Sequence, residues 1–363
     1  MDPLAALGWD ADWAEAFAPL AARGHRPARV VAVHRETSIV REAGGGDDRP
    51  AAVSGSFRFD ALAASEYPTV GDWVALDTSG VIAAILPRRT TFRRMATDAT
   101  RQGAGLNDEQ VMAANVDVAL LVAGLDHDFN LRRIERYLAV ARSSGIAPVV
   151  VLNKADVEED VEGVRAAVGT IAPDVPIVAV SARTGVGLDA LRTHLRPGAT
   201  AAILGSSGVG KSTLVNALLG EERQKTSEVR VADSRGRHTT THRELFELPS
   251  GALLVDTPGI RALEVLGAEE GVETSFDDVA AIAATCRFSD CGHDREPGCA
   301  VRAAIAEGRL APERLASHRK LERELARVDR QTDARARAEY RRTLQRVQKS
   351  AAQQAARKDG RDR

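Results

Sequence analysis

The stretch GSSGVGKS, residues 205–212, carries the residue types that most directly suggest chemistry. It follows the apolar run ATAAIL and opens a helical pattern, the setting a phosphate-binding loop needs. Glycines there let backbone N–H groups approach phosphate oxygens, and the helix N-terminus adds a partial positive charge. On this reading Gly205, Ser206, Ser207, Gly208, Val209 and Gly210 cradle phosphates, with Thr213 closing the binding segment. Lys211 reaches the β- and γ-phosphates, and Ser212 ligates Mg²⁺. The pattern alone does not separate ATP from GTP.

Base choice comes from VVVLNKAD, residues 149–156. Asp156 can accept the N1 and N2 hydrogens of guanine, which adenine does not offer. Asn153 can bond the base or brace the phosphate loop, and the Lys154 stem can lie along the ring. VSARTG, residues 180–185 in one run with its strand, places the Ser181–Ala182 backbone where guanine O6 would sit. DTPG at 256–259 supplies Asp256 for Mg²⁺ through water and the Gly259 amide for the γ-phosphate. In RGRHTTTHREL, residues 235–245, a threonine completes the Mg²⁺ shell; Thr240 is favoured, with Thr239 the alternative. Ile260 stands where many GTPases place a water-orienting Gln. Intrinsic hydrolysis is therefore expected to be slow, with His238 the candidate for positioning water once a partner closes the site.

The order of these pieces is base corner, second base loop, phosphate loop, threonine loop, DTPG. The conventional order begins at the phosphate loop. Joining the usual ends and cutting after DTPG yields the order seen, and circular permutation is feasible because domain termini lie close together. A further cluster follows the cut. CRFSDCGHDREPGC gathers Cys286, Cys291, His293 and Cys299, all three cysteines of the chain, within fourteen residues. Three thiolates and an imidazole close a tetrahedral zinc shell with no open position, so one structural zinc is expected.

The elements that must position these groups follow from texture. Residues 1–24 are Ala-rich, with Trp9, Trp13 and Phe17 at helical spacing, and predict a short packing helix. Between Pro27 and Pro87 the runs ARVVAVHRETSIVRE, AAVSGSFRF, GDWVALD and GVIAAILP predict a small closed β-barrel. Residues 110–260 alternate apolar strands with helices, which implies a parallel sheet covered on both faces. The expected architecture is multidomain: an N-terminal extension and barrel over 1–92, an α/β circularly permuted P-loop GTPase domain over 93–266, and a zinc-binding, mostly α domain over 267–363. Net charge is −2, yet residues 309–363 hold 17 Lys and Arg against 8 Asp and Glu, which suggests a polyanion partner for the tail. Apolar runs are far shorter than the roughly 20 residues of a membrane span, and no secretory signal is evident, so a cytoplasmic protein is expected.

With these motifs assembled, the chain resembles the circularly permuted small-ribosomal-subunit biogenesis GTPases, the RsgA (YjeQ) family. The resemblance rests on YPTVGDWV, AANVD, NKAD, GSSGVGKSTLVN, RGRHTTT, DTPGIR and CRFSDCGHDREPGCAV and spans nearly the whole chain. It implies that the barrel is an oligonucleotide-binding (OB) fold and that the partners are the 30S subunit and its 16S rRNA, with GTP hydrolysed on the bound particle. DNA and membrane partners are not expected, and the protein is expected to act as a monomer. The barrel has few aromatics. Phe57, Phe59, Tyr67 and Trp73 are equally compatible with core or base platforms, so shape and backbone recognition of RNA is expected to dominate.

Overall fold

The computed structural model describes residues 4–34, 37–43, 47–61, 63–95, 109–127, 129–221, 243–256 and 274–326. The N-terminal extension folds as α1 (Ala11–Ala21), started by Asp10, whose Oδ1 accepts from the Trp13 N–H at 3.0 Å. Its buried Trp13 and Phe17 join Leu4 and Leu7 around Trp73, and Trp9 meets Trp73 edge-on with centroids 4.7 Å apart. The extension therefore caps one end of the barrel that follows. Trp73 is core rather than an RNA platform.

Five short strands form that barrel: β1 (Arg26–His34), β2 (Thr37–Glu42), β3 (Arg49–Ala51), β4 (Trp73–Leu76) and β5 (Ile82–Ile85). β1 pairs with β2 and β4, β2 with β3, and β4 with β5. The ring closes where the Ser54 N–H donates to Ile82 O (2.9 Å) and the Ile82 N–H to Ala52 O (2.8 Å). Closure removes the exposed edges that five short strands would otherwise leave. One sequence expectation fails here. AAVSGSFRF is strand only as far as Ala51, because Gly55–Asp60 is a helix, α2. Its cause is local: Ser54 Oγ accepts from the Phe57 N–H at 3.1 Å, an N-cap that favours helix over strand.

A hairpin of β6 (Thr91–Met95) and β7 (Glu109–Ala114) follows, so β6 runs across the boundary expected at 92/93. Then β8 (Val118–Gly124), α3 (Leu131–Ser143), β9 (Ala147–Asn153), α4 (Val161–Ile171), β10 (Ile177–Val180), α5 (Leu188–Arg192), β11 (Thr200–Leu204) and α6 (Lys211–Leu219) alternate as expected. β12 (Arg243–Glu247) and β13 (Leu253–Asp256) complete the sheet in the order β10-β9-β8-β11-β13-β12, with β12 antiparallel. β12 escaped the sequence reading because RELFE is short and polar at both ends. α3 and α4 bury one face of the sheet against Leu121 and Val150. α5 and α6 bury the other against Leu120 and Val151, the strand alternation separating the two sets.

The barrel and this sheet are continuous, since β1 pairs antiparallel with β12 through Ala32 opposite Glu244 and Val33 opposite Arg243. The PTVGDWV segment reinforces the join. Gly71 adopts φ +90° and lies so close to Ala114 that a Cβ would collide with its carbonyl oxygen. Asn115 Nδ2 donates to Gly71 O at 3.0 Å, and the Ala114 N–H to Val70 O at 3.0 Å. Beside them, fully buried Arg29 donates to Gly71 O, Leu7 O, Asn115 O and Thr200 Oγ1. Burial pulls its guanidinium down to about 10, still charged at neutral pH, with Asp117 and Asp72 opposing that shift.

The C-terminal unit comprises α7 (Asp277–Ala283), α8 (Ala300–Ala306) and α9 (residues 312–326). Its Phe276, Val301, Leu315 and Leu325 share one core with Ile134 and Leu138 of α3. Among the described residues no helix is long and apolar enough to cross a membrane.

Candidate functional site

Parallel strands bring their carboxyl ends to one edge of a sheet, where ligands bind in open α/β folds. Here β8, β9, β10 and β11 all point the same way. Asn153, the last residue of β9, is 2% exposed and serves as a tie. Its Nδ2 donates to Val209 O of the phosphate loop at 2.8 Å, while its Oδ1 accepts from the Ala182 N–H at 3.0 Å. The sequence left open whether Asn153 touches the base or braces the phosphate loop; in the structure it braces. Gly210 makes this approach possible, because a Cβ at its φ of +88° would strike Asn153 Nδ2.

Lys154 turns the chain with φ +66° and forms an ion pair with Asp126 just beyond β8. Asp156 accepts from Arg183 Nη2 at 2.6 Å. The Ser181 hydroxyl, more than Arg183, holds its carboxyl below the ordinary aspartate range, so it is an acceptor at neutral pH. Buried Ser181 folds its own loop: its carbonyl accepts from the Gly185 N–H at 2.8 Å and its Oγ from the Thr184 N–H at 3.2 Å. Ala182 is buried, and its amide is the one Asn153 engages.

The phosphate loop leaves β11 at buried Gly205 and rises through half-buried Ser206 to exposed Ser207 and Gly208 before returning at buried Val209. Lys211 opens α6, with Ser212 and Thr213 half-buried in its first turn. Lys211 Nζ donates to Gly205 O at 2.7 Å and to Ser206 O. Arg133 of α3, which the sequence reading did not single out, also arrives here and donates from Nη1 to Ser206 Oγ at 2.7 Å. Asp256 is the final residue of β13, beside the β11 strand that feeds the loop. His238, Thr239, Thr240, Gly259 and Ile260 lie outside the described residues.

The cysteine cluster is assembled as a unit. The ligand atoms of Cys286, Cys291, His293 and Cys299 all lie within 4.8 Å of one another. His293 Nδ1 is 3.6 Å from Cys286 Sγ and 3.5 Å from Cys299 Sγ, and those two sulfurs are 4.0 Å apart. A zinc tetrahedron with Zn–S near 2.3 Å and Zn–N near 2.0 Å spaces its ligands about 3.5–3.8 Å apart. The cluster therefore fits one zinc. His293 reaches its place through φ +58°, and Cys299 is also the N-cap of α8, its sulfur accepting from the Arg302 N–H. Burial works against a thiolate at Cys286, but the Val301 and Ala300 N–H groups hold it below the usual thiol range. Glu296 shapes the loop by accepting from the N–H groups of Gly292, Asp294 and Arg295.

This unit docks on α3. Buried Arg314 donates to Glu135 Oε1 at 2.8 Å, to Ser275 O at 2.6 Å and to Asp278 at 2.9–3.0 Å, and lies over the Phe276 ring. Glu135 also takes Ser317 Oγ at 2.5 Å and Arg132 at 2.8 Å. Farther along the helix Arg136 makes a two-pronged pair with Glu324, and Arg142 meets Ser275 and Asp174.

Comparison with known proteins agrees with this geometry. Residues 85–266 match the family model described as RsgA GTPase. A relative from Opitutus terrae, named small ribosomal subunit biogenesis GTPase RsgA, is 50% identical over 91% of this chain and 92% of its own. The crystal structure of YjeQ from Thermotoga maritima superposes with a TM-score of 0.60 at 29% identity, covering 83% of this chain and 99% of that one. YloQ, described as a circularly permuted GTPase, gives a TM-score of 0.57 at 22% identity, covering 83% and 95%, and bears on the fold alone.

Proposed function

The chain belongs to the RsgA GTPase family and is on that ground a GTP hydrolase of small-subunit biogenesis; we propose that it binds the 30S subunit and its 16S rRNA late in maturation and that the particle stimulates hydrolysis of GTP to GDP. The observation that carries the nucleotide half is Asn153, which ties the phosphate loop to the Ser181–Ala182 loop at one sheet edge. In this reading Asp156 takes the guanine N1 and N2 hydrogens, and Arg183 shifts aside or stays as its ionic partner. Lys154, steadied by Asp126, lies along the base.

When phosphates enter, Lys211 exchanges Gly205 O and Ser206 O for β- and γ-phosphate oxygens. Ser212, Thr240 and, through water, Asp256 would hold Mg²⁺, which would supply charge neutralisation at those oxygens. Gly259 meets the γ-phosphate, and His238 positions water after the subunit closes the threonine loop.

The barrel's ring order, β1-β2-β3-β5-β4, suits an oligonucleotide-binding fold, and Phe59, 87% exposed, is the most outward of its aromatics among the described residues. Cys286, Cys291, His293 and Cys299 would hold one structural zinc that keeps the C-terminal unit in shape for RNA. Such a protein works in the cytoplasm, as a monomer. The test is GTP turnover measured alone and with purified 30S, 50S and 70S particles. Stimulation by 30S is the expected result. Stimulation by 50S instead would redirect the target to the large subunit, and no stimulation by any particle would leave an RNA-binding protein for which GTP is a structural ligand.

A further inference from the structure

The C-terminal unit treats its two described phenylalanines differently. Phe276 is fully buried, whereas Phe288, two residues past Cys286, is 41% exposed. Single exposed apolar side chains are ordinary on a protein surface, so exposure alone identifies nothing. What distinguishes Phe288 is its neighbour. The Arg287 guanidinium lies over the ring, 5.5 Å from its centroid. Among the described residues that guanidinium has no ion pair and no hydrogen bond.

The backbone of the cysteine loop presents this pair. The Arg287 N–H donates to Gly298 O at 3.3 Å. Gly298 takes φ +76°, and a Cβ there would sit 3.2 Å from Arg287 Cβ and 3.3 Å from its Cδ, so the arginine stem lies across a glycine. Cys286 precedes the pair and Cys299 follows the glycine, so two of the four cluster residues bracket it. Two of the loop's acids are tied down: Glu296 accepts from the Gly292, Asp294 and Arg295 N–H groups, and Asp294 meets Arg319 at 3.6 Å. Asp290 has no partner among the described residues.

Three acids against Arg287 and Arg295 do not make this loop a patch for duplex phosphates, which takes several cations. One ring and one guanidinium instead match one unstacked nucleotide, whose base lies on an aromatic or guanidinium plane and whose phosphate accepts from the fork. A guanidinium on an exposed ring gains little from the ring alone; a nucleotide engages both.

We propose that Arg287 and Phe288 form a stacking site for a single unpaired nucleotide of RNA, presented by the cysteine–histidine loop. The inference rests on the reading that the chain binds the RNA of the small subunit, and it adds a named contact to that reading.

The test measures the affinity of the full-length, zinc-loaded protein for purified 30S particles, with a non-hydrolysable GTP analogue, across a salt series. The variants are Phe288→Leu, Phe288→Tyr, Arg287→Gln and Arg287→Lys, each first shown to hold one zinc. Phe288→Leu keeps apolar bulk but loses the π-face, and should weaken binding about tenfold with an unchanged salt slope. Phe288→Tyr should bind like wild type. Arg287→Gln should weaken binding and reduce the salt slope by about one, while Arg287→Lys keeps the slope. A photo-crosslinking phenylalanine analogue at position 288 should attach to rRNA. Wild-type affinity in Phe288→Leu, or a crosslink to a ribosomal protein instead of rRNA, would overturn the proposal. Should Phe288→Leu lose its zinc, Arg287→Gln decides, and an unaltered slope there overturns the proposal equally. A wild type that binds no particle would end the ribosomal reading and this contact with it; variants that match a wild type that does bind would end the contact alone.

Discussion

The barrel meets the α/β core largely through main-chain groups, whereas the C-terminal unit with the cysteine cluster meets it through the side chains of one helix. On the barrel side, β1 pairs directly with β12, and Gly71 presses on the Ala114 backbone. Arg29 then satisfies carbonyls from the extension, the barrel and the hairpin. On the zinc side, Arg314, Glu135, Arg136 and Glu324 make the polar contacts over a shared apolar core. A main-chain junction moves as one body with its sheet. A side-chain junction breaks no sheet pairing when it opens, although it exposes the apolar core it covers, so the C-terminal unit is expected to separate first while the nucleotide corner stays formed.

Metal removal tests that difference most severely. Cys291→Ala, or chelation of the wild type, should remove about one zinc per chain and expose residues 274–326 to protease, since structural zinc is coupled to folding. Nucleotide binding should survive; its loss would show that the two regions are not separable. Next comes Arg314→Ala, which takes from buried Glu135 one of its two arginine partners and leaves it Arg132 and Ser317, at a cost of about 1–3 kcal/mol. Hydrogen exchange should show early opening confined to the zinc unit. The matching change on the other side, Arg29→Met, takes this donor from the Leu7 and Asn115 carbonyls at about 1–3 kcal/mol each, while Gly71 O keeps Asn115 Nδ2. Its effect should appear as a lower temperature for one shared transition of barrel and core, and a separate barrel transition would contradict the comparison.

Glu296→Gln is a smaller change. N–H groups of Glu296 itself and of Asp294, with Arg295 and Gly292, hold this carboxyl down to about 2. A carboxyl so depressed contributes fully above its ordinary value of about 4.5 and loses that contribution as pH falls toward about 2. The variant should release zinc to a chelator about tenfold more readily, as loss of an outer support does. That ratio should stay flat between about pH 6 and pH 8; a strong slope there would assign the effect to another group. Least of all, Arg136→Gln removes a partly exposed pair and should cost no more than about 1 kcal/mol by denaturant unfolding.

The nucleotide corner and zinc cluster were legible because their residues are short-range patterns set at strand ends or within one loop. Asn153, Lys211 and the three cysteines stand where their spacing suggests. The junctions were not legible. Arg29 and Thr200 are 171 positions apart, and Glu135 and Arg314 are 179 apart, so no local pattern pairs them. Arg133 and Ser206, 73 positions apart, escape a local pattern in the same way. Ser54 is a different lesson: an N-cap signal was present in the sequence and was outweighed by the aromatic alternation of SFRF, which read as strand. PTVGDWV was legible as a family signature, and the structure gives its physical meaning as a joint between barrel and core.

We propose that the nucleotide held at the Asn153–Lys211 corner sets the grip on the small subunit, since a particle that favours the closed, GTP-bound site is in turn bound more tightly with GTP. The most direct test of this is the affinity of the full-length protein for purified 30S particles with GDP and with a non-hydrolysable GTP analogue, at one salt concentration. Tighter binding with the analogue, by about tenfold or more, is the expected result; equal affinity with both nucleotides would contradict it.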